Sequence, residues 1–432
     1  MERIRDMDEG PTAHETPIET LETAVLVGDT DLFLRAKTPE FRKVTLALVA
    51  AGFSTYALLY CVQPLLPVFS KSLGVSPSVS SLSLSVTTGM LALAMLVAGR
   101  ISDVRGRKPI MAVSLLTVGL LTFAAAFAPN WTVLLTIRGL TGVALAGTPA
   151  VAMAYLAEEV HPRDLGSAMG LYIAGNAYGG MVGRVLTGIL VDVTQSWRIA
   201  LGVMGVLGIA AAMLFTVLLP ASRRFEPEEG LSLGHLGRAF AGHVSDPGLN
   251  QLFLVGFVVM GAFVTAYNYL SFRLIEPPFD LSQAFAGSIF LVYLLGGPAS
   301  AWFGRLGGRY GRGRMMTAAM LLMFAGLVMT ATSNLVLSIT AIAIFTSGFF
   351  GAHAIASGWV SRRAVHARAA AASLYLFSYY AGSSLFGSTG GIFWSRYGWP
   401  GIMAVVACLL AVGLFLAARL TARERHELDI HA

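Results

Sequence analysis

The sequence predicts an all-α membrane protein of twelve transmembrane helices, arranged as two pseudo-symmetric six-helix bundles. Three observations carry that prediction. Only 12% of the residues are charged and 55% are hydrophobic, with a mean hydropathy of +0.69, whereas a soluble domain carries roughly 25% charged residues. Apolar stretches of about 20 residues, enough to cross about 30 Å of hydrocarbon, recur twelve times after residue 43. Finally, the second half of the chain repeats motifs of the first.

In order, the spans run over 44–70, 78–100, 109–128, 132–156, 165–191 and 197–219, then 248–274, 282–304, 315–333, 335–359, 369–394 and 398–418. Residues 1–42 are polar, carry no signal-peptide pattern, and read as a largely disordered cytoplasmic tail. The first bundle occupies 43–219, a polar linker 220–246, the second bundle 247–419, and a short cytoplasmic tail 420–432.

Charge sets the orientation, because loops rich in Lys and Arg stay in the cytoplasm. With the N-terminus inside, 24 of the 30 Lys and Arg fall in cytoplasmic segments. Only Lys71, Arg198, Arg273 and Arg396 fall outside, and Arg138 and Arg184 lie within spans. An even number of helices then puts both termini in the cytoplasm. The net charge of +6 is therefore an orientation signal, and a nucleic-acid partner has no support; the expected partners are the lipid bilayer, a small-molecule substrate and protons, with the protein acting as a monomer.

The repeat is read directly. "LYIAGNAYGGMVGRVLTGI" (171–189) lies without a gap over "LYLFSYYAGSSLFGSTGGI" (374–392), and "GRISDVRGRKPIM" (99–111) lies over "GRLGGRYGRGRMM" (304–316). Two related bundles of like topology are the plan of a transporter with its site at their interface near the midplane.

The loop "GRISDVRGRKP" resembles the signature loop of the major facilitator superfamily, with Gly99, Asp103, Gly106, Arg107 and Lys108 at matching positions. "ALLYCVQPLLPVFSKSLGVSP", "YLAEEVHP", "GLYIAGNAYGGMVGR" and "ASLYLFSYYAGSS" more narrowly resemble its YnfM-like branch, whose members are described as multidrug or sugar exporters. The resemblance covers residues 38 to 420 and implies an inner-membrane transporter working by alternating access. It further implies that Asp103 latches the cytoplasmic side near the start of the eleventh helix, where a helix N-terminus favours an anion. Arg107 and Lys108 would pair with Glu158 or Glu159 at the end of the fourth helix. Gly308 stands where Asp103 would repeat, which makes the latch one-sided.

Arg138 resembles the intramembrane arginine of the family's fourth helix, linked there to proton transfer; an ionisable group inside a span points to function. Snorkelling to the interface is its structural alternative. On the fifth helix the glycine row Gly175, Gly179, Gly183 allows close helix approach and resembles the antiporter motif of exporters, except that Gly180 replaces Pro and Arg184 replaces the final Gly.

Helical periodicity nominates the cavity wall. The row Tyr172, Asn176, Gly180, Arg184 recurs in part as Tyr375 and Tyr379; Tyr56, Tyr60 and Gln63 share a face of the first helix, and the seventh contributes Tyr267 and Asn268. Such a set suits flat organic molecules or sugars, with Arg184 an anion hook or a structural charge. No Asp or Glu lies deep in a span, so His353, the one histidine in a span, is the candidate for proton coupling. Cys61 and Cys408 read as core residues without metal-ligand spacing. No phosphate-binding loop occurs and no cofactor is implied. The leading function is proton-coupled drug or metabolite efflux; the alternatives are a facilitator or symporter of a sugar or anionic metabolite, and a non-transporting sensor. Without a nucleophile, metal or cofactor constellation, an enzyme is not expected.

Overall fold

The computed structural model describes residues 33–225, 227 and 233–431. Ten helical runs among them are long and apolar enough to cross a membrane. The first half holds α1 (Pro39–Leu73), α2 (Pro77–Arg105), α3 (Arg107–Ala125), α4 (Trp131–Glu159), α5 (Pro162–Thr194) and α6 (Trp197–Leu218). The second holds α7 (Pro247–Ile275), α8 (Gln283–Tyr310), α9 (Arg312–Met329) and α10 (Leu335–Arg363). The run Arg368–His431 breaks at Gly398 into α11 (368–397) and α12 (399–431), completing twelve. Helix α5 is not among the ten, because its glycines, Asn176 and Arg184 dilute its apolar content; neighbouring helices hold it instead.

Local chemistry places the boundaries. Side chains of Thr38, Ser76, Asn130, Ser196, Asp246, Ser282 and Asn334 each accept a backbone N–H of the helix they precede, satisfying donors that a helix start leaves free. Pro follows at the first helical position in α1, α2 and α7, where its missing N–H costs nothing. The sharp turns from α2 to α3 and from α8 to α9 are made by Gly106 (φ +97°) and Gly311 (φ +95°), which only glycine adopts freely. The same cap and turn recurring about 205 residues apart is the sequence repeat expressed in backbone.

Several boundaries differ from the sequence reading. Order begins before residue 43: Leu34 is buried and pairs with Val160, giving its N–H to Glu159 O (2.8 Å) and accepting from His161 N (3.1 Å). Residues 1–32 of the expected tail lie outside the described residues. The linker is not all loop, since Leu233–Ser245 is helical, and α12 runs on to His431. Asp246 closes the linker; burial pushes its carboxyl up, but Arg363 (2.9 Å) and the α7 N–H groups of Leu249 and Gly248 outweigh burial and hold it below the usual carboxylate range. Cys61 is buried, but Cys408 is exposed on the helix surface rather than in the core.

Packing obeys the pseudo-symmetry. Within the halves α1 lies against α5 and α7 against α11; between them α2 meets α11 and α5 meets α8. The glycine row of α5 faces the α1 backbone: a Cβ at Gly175 would stand 2.8 Å from Val49 O, one at Gly183 2.6 Å from Ala57 Cα, and one at Gly179 would collide with Phe53 O. Gly382 of α11 meets Phe257 of α7 in the same way. Overpacking a site whose neighbour is backbone costs about 1–3 kcal/mol or more. Gly179→Val is therefore expected to lower the melting temperature in detergent, and an unchanged melting curve would contradict this close crossing.

Call the end bearing the Gly106 and Gly311 turns, with Arg100, Arg105, Arg107, Arg305, Arg309 and Arg312, the basic end. Side-chain hydrogen bonds join the halves between mid-helix and the opposite end. Ser78 Oγ donates to Ser388 O (2.9 Å), Ser384 Oγ to Ser85 O (2.7 Å), and Tyr269 Oη to Ser81 Oγ (3.2 Å). There, too, Gly188 packs on Gly287, and Gly391 on Ser78, where a Cβ would stand 2.6 Å from Ser78 N.

Candidate functional site

The site begins with a break in α1. After Tyr60 the helix passes through a turn and the short 3₁₀ segment Gln63–Leu65, because Pro64 has no N–H for the carbonyl of Tyr60. Carbonyls freed there need donors, and Arg138 of α4 supplies them. Its Nη2 donates to Leu59 O (2.9 Å), Nη1 to Leu58 O (3.3 Å) and Nε to Ser83 O (3.1 Å). At 1% exposure it does not snorkel. A cation at a helix C-terminus also meets the negative end of the helix dipole. Arg138 thus ties α1, α2 and α4 together with backbone acceptors alone.

Arg184 is equally buried but differently held. Its Nε donates to Gln63 Oε1 (2.6 Å) and its Nη1 to Gly180 O (2.6 Å). The guanidinium carbon lies 3.9 Å from the Tyr60 ring centre, 4.8 Å from that of Phe290 and 4.9 Å from that of Tyr293, so rings from both halves enclose it by cation–π contact. Among the described residues no carboxylate pairs with it and Nη2 has no acceptor. Gln63 continues the connection, its Nε2 donating to Asn268 Oδ1 (2.7 Å), and Asn268 Nδ2 to Gly387 O (3.3 Å). This relay of side chains joins α5, α1, α7 and α11 and crosses between the halves.

From Arg184 a wall of rings leads across the molecule. Tyr60 stacks on Tyr56, whose hydroxyl lies 3.1 Å from that of Tyr380; Tyr380 meets Tyr379 edge to face at 5.2 Å. Tyr379 lies 4.8 Å from the His353 ring, and His353 Nδ1 is 2.9 Å from the Tyr375 hydroxyl. The structure thereby brings together Tyr56, Tyr60, Gln63, Arg184, Asn268, Tyr375, Tyr379 and His353.

Other nominated residues sit elsewhere. Tyr172 is 1% exposed inside the first half, its hydroxyl 3.4 Å from Pro149 O, and with Asn176 it packs on Gly52 of α1, not on the ring wall. Asn176 Oδ1 is buried without a partner among the described residues. Tyr267 is fully buried in the second half, bonded to Thr346 Oγ1 (2.6 Å) and packed behind Phe290 and Tyr293.

At the basic end Arg107 bridges Asp103 and Glu158, giving Nη2 and Nε to Glu158 Oε1 (2.6 and 3.2 Å) and Nη1 to Ser102 Oγ (2.6 Å). Asp103 also faces Arg100 at 3.6 Å, so all its ion pairs among the described residues are within the first half. Glu159 does not pair with Arg107 or Lys108. It is buried and takes the backbone N–H groups of Arg223 (2.7 Å) and Arg224 (3.0 Å), which clamps the start of the linker. Lys108 is half-buried with no ion pair among the described residues, and nothing stands within 4 Å of where a Gly99 Cβ would be.

Some contributors escaped sequence reasoning. Phe290 and Tyr293 read as ordinary apolar-span residues; their role needs the crossing of α5 and α8. The serines were more legible, since Ser81 and Ser85, and Ser384 and Ser388, are i, i+4 pairs of small polar residues, a helix-contact signal. At the opposite end a cavity of about 690 Å³ is lined by Arg273, Glu276, Trp394 and Trp399 among others; burial pushes the Glu276 carboxyl up.

Comparison with known proteins agrees with this architecture. The family model for the Major Facilitator Superfamily matches residues 48–276 and 252–431. The chain is 47% identical over 388 residues to the uncharacterized MFS-type transporter YybF of Bacillus subtilis (strain 168), covering 90% of this chain and 96% of that one. It is 45% identical over 391 residues to the inner membrane transport protein YnfM of Escherichia coli (strain K12), covering 90% and 93%. Among solved structures, a bacterial homolog of the human lysosomal transporter Spinster, inward-facing and unoccupied, superposes with a TM-score of 0.71 at 16% identity, over 90% of this chain and 99% of that one.

Proposed function

Since the chain belongs to the Major Facilitator Superfamily and is a multi-pass secondary transporter, not an enzyme, we propose that it exports a small organic solute from the cytoplasm in exchange for protons. One observation carries this reading. The ring wall from Tyr60 to His353 spans both halves, and bonds join the halves from mid-helix to the opposite end, which supports an approach of the cargo from the basic end. The positive-inside rule puts that end in the cytoplasm, with both termini, and the relative YnfM is an inner membrane protein. An exporter would load its cargo from this side.

Roles follow from position. Tyr56, Tyr60, Tyr379 and Tyr380 offer π faces and hydroxyls to the cargo. His353, hydrogen-bonded to Tyr375, carries the exchanged proton, since no carboxylate among the described residues lies deep in a span; Arg138 holds α1 in its broken form beside the site. When the basic end closes, Asp103 leaves its own-half partners for the start of α11, while Gly99, Gly106, Arg107, Lys108 and Glu158 shape that latch.

The test is transport by the purified chain in liposomes with an imposed pH gradient, offered cationic dyes, pentoses and organic anions. At least one solute is expected to move against its gradient while dissipating the pH gradient. Movement only down its own gradient, indifferent to pH, makes the protein a facilitator; binding without movement makes it a sensor.

A further inference from the structure

We propose that the cargo engages Arg184 through an anionic group, and that Gln63 and Asn268 form the switch by which this engagement releases the opposite end; the proposal rests on the transport reading above. A guanidinium only donates, through five N–H groups, and a carboxylate binds it best by accepting two parallel bonds. In Arg184, Nη1 is held by Gly180 O and Nε by Gln63 Oε1, while Nη2 has no acceptor among the described residues. A carboxylate taking the edge formed by Nε and Nη2 gains the free donor and displaces Gln63 Oε1. Tyr60, Phe290 and Tyr293 offer their faces to the guanidinium, and their rings favour a flat apolar body beside the charged group.

Displacing Gln63 matters because the relay has a fixed direction. At one end stands Arg184, which can only donate; at the other, Gly387 O, which can only accept. Between them the Gln63 amide must present oxygen to Arg184 and nitrogen to Asn268, and the Asn268 amide must present oxygen to Gln63 and nitrogen to Gly387. Neither amide can flip without setting donor against donor or acceptor against acceptor. Once Arg184 turns to a carboxylate, nothing holds Gln63 in orientation. The bond it destabilises, Gln63 Nε2 to Asn268 Oδ1, is the one that crosses between the halves, whereas Asn268 to Gly387 stays within the second. An empty carrier therefore keeps its opposite end bonded, and a neutral molecule of the same shape leaves the relay intact.

The experiment uses the full chain in nanodiscs, with spin labels at Val193→Cys and Val336→Cys in a Cys408→Ser background. Both valines are exposed, at 78% and 70%, on opposite halves at the opposite end. Probes are benzoate, cinnamate and 2-naphthoate, each against its carboxamide. At least one carboxylate is expected to bind about tenfold to a hundredfold more tightly than its amide, as a charge-assisted bond implies, and to lengthen the label distance; the amide should do neither. Gln63→Leu should lengthen the distance without ligand and still bind the carboxylate, while Arg184→Gln should lose the preference for acid over amide. Acids and amides acting alike, or no acid binding, overturns the anion assignment; an unchanged distance in Gln63→Leu overturns the switch. If solutes move in liposomes but acids and amides are handled alike, the transport reading survives and this proposal fails. If acids bind and lengthen the distance but nothing is transported, the reverse holds.

Discussion

Replacing Arg138 by methionine is expected to destabilise the protein by about 2–4 kcal/mol and to lower its melting temperature in detergent. The substitution leaves Leu58 O, Leu59 O and Ser83 O without their guanidinium donors in a site that is 1% exposed. Each buried acceptor left without a donor costs roughly 1–3 kcal/mol. Removing a buried cation relieves its desolvation, which offsets part of that cost, and Cys61 Sγ still donates weakly to Leu58 O. The acceptors win because Thr87 Oγ1 (2.9 Å) keeps only Ser83 O supplied and the thiol is a weak donor, so Leu59 O loses its side-chain donor and no single group spans the three helices as the guanidinium does. Arg138→Lys, keeping the charge but not the fork, should recover only part of the loss. A melting curve unchanged in Arg138→Met would show that the break in α1 does not depend on this residue.

Gly391→Val is expected to shift the protein to a form open at the opposite end. A Cβ at residue 391 would stand 2.6 Å from Ser78 N and Cβ, and the backbone of α2 cannot step aside as a flexible side chain would. Relief comes only from parting α2 and α11, which breaks the bonds Ser78 to Ser388 and Ser384 to Ser85. The result to look for is a longer Val193–Val336 label distance in most molecules, with helix content intact and transport lost. A distance equal to that of the unsubstituted chain, in a folded variant, would mean this crossing does not gate the opposite end.

The fold was legible because its determinants are local or periodic. Apolar length, the cap residues before each helix, the glycine turns and the internal repeat are each written within a few dozen residues. The site was legible where one helix face carries it, as with Tyr56, Tyr60 and Gln63, and illegible where it depends on which helices cross. Arg138 looks alike as a proton carrier or an interface anchor until the break in α1 supplies its acceptors. Glu158 and Glu159 are adjacent in sequence, yet they point at Arg107 and at the linker respectively, a difference of about 100° around the helix that only the neighbours of α4 decide. Tyr172 shares a row with Arg184 and both meet α1, but Tyr172 meets it at Gly52, about one turn before the ring wall begins at Tyr56.

The interior described above holds two guanidinium groups and, among the described residues, no carboxylate. This has an electrical consequence. A membrane potential acts on each elementary charge carried across with roughly 2.3 kcal/mol per 100 mV. Arg138 and Arg184 stay with the protein, so the charge moved per cycle is that of the cargo and its counter-ion. For a singly charged organic anion leaving a negative interior against one entering proton, both movements run with the field, a drive of about 4.6 kcal/mol per 100 mV. A neutral solute would gain half of that, and a monovalent cation nothing. The current measured per turnover therefore reports the charge of the cargo, even before its chemical identity is known.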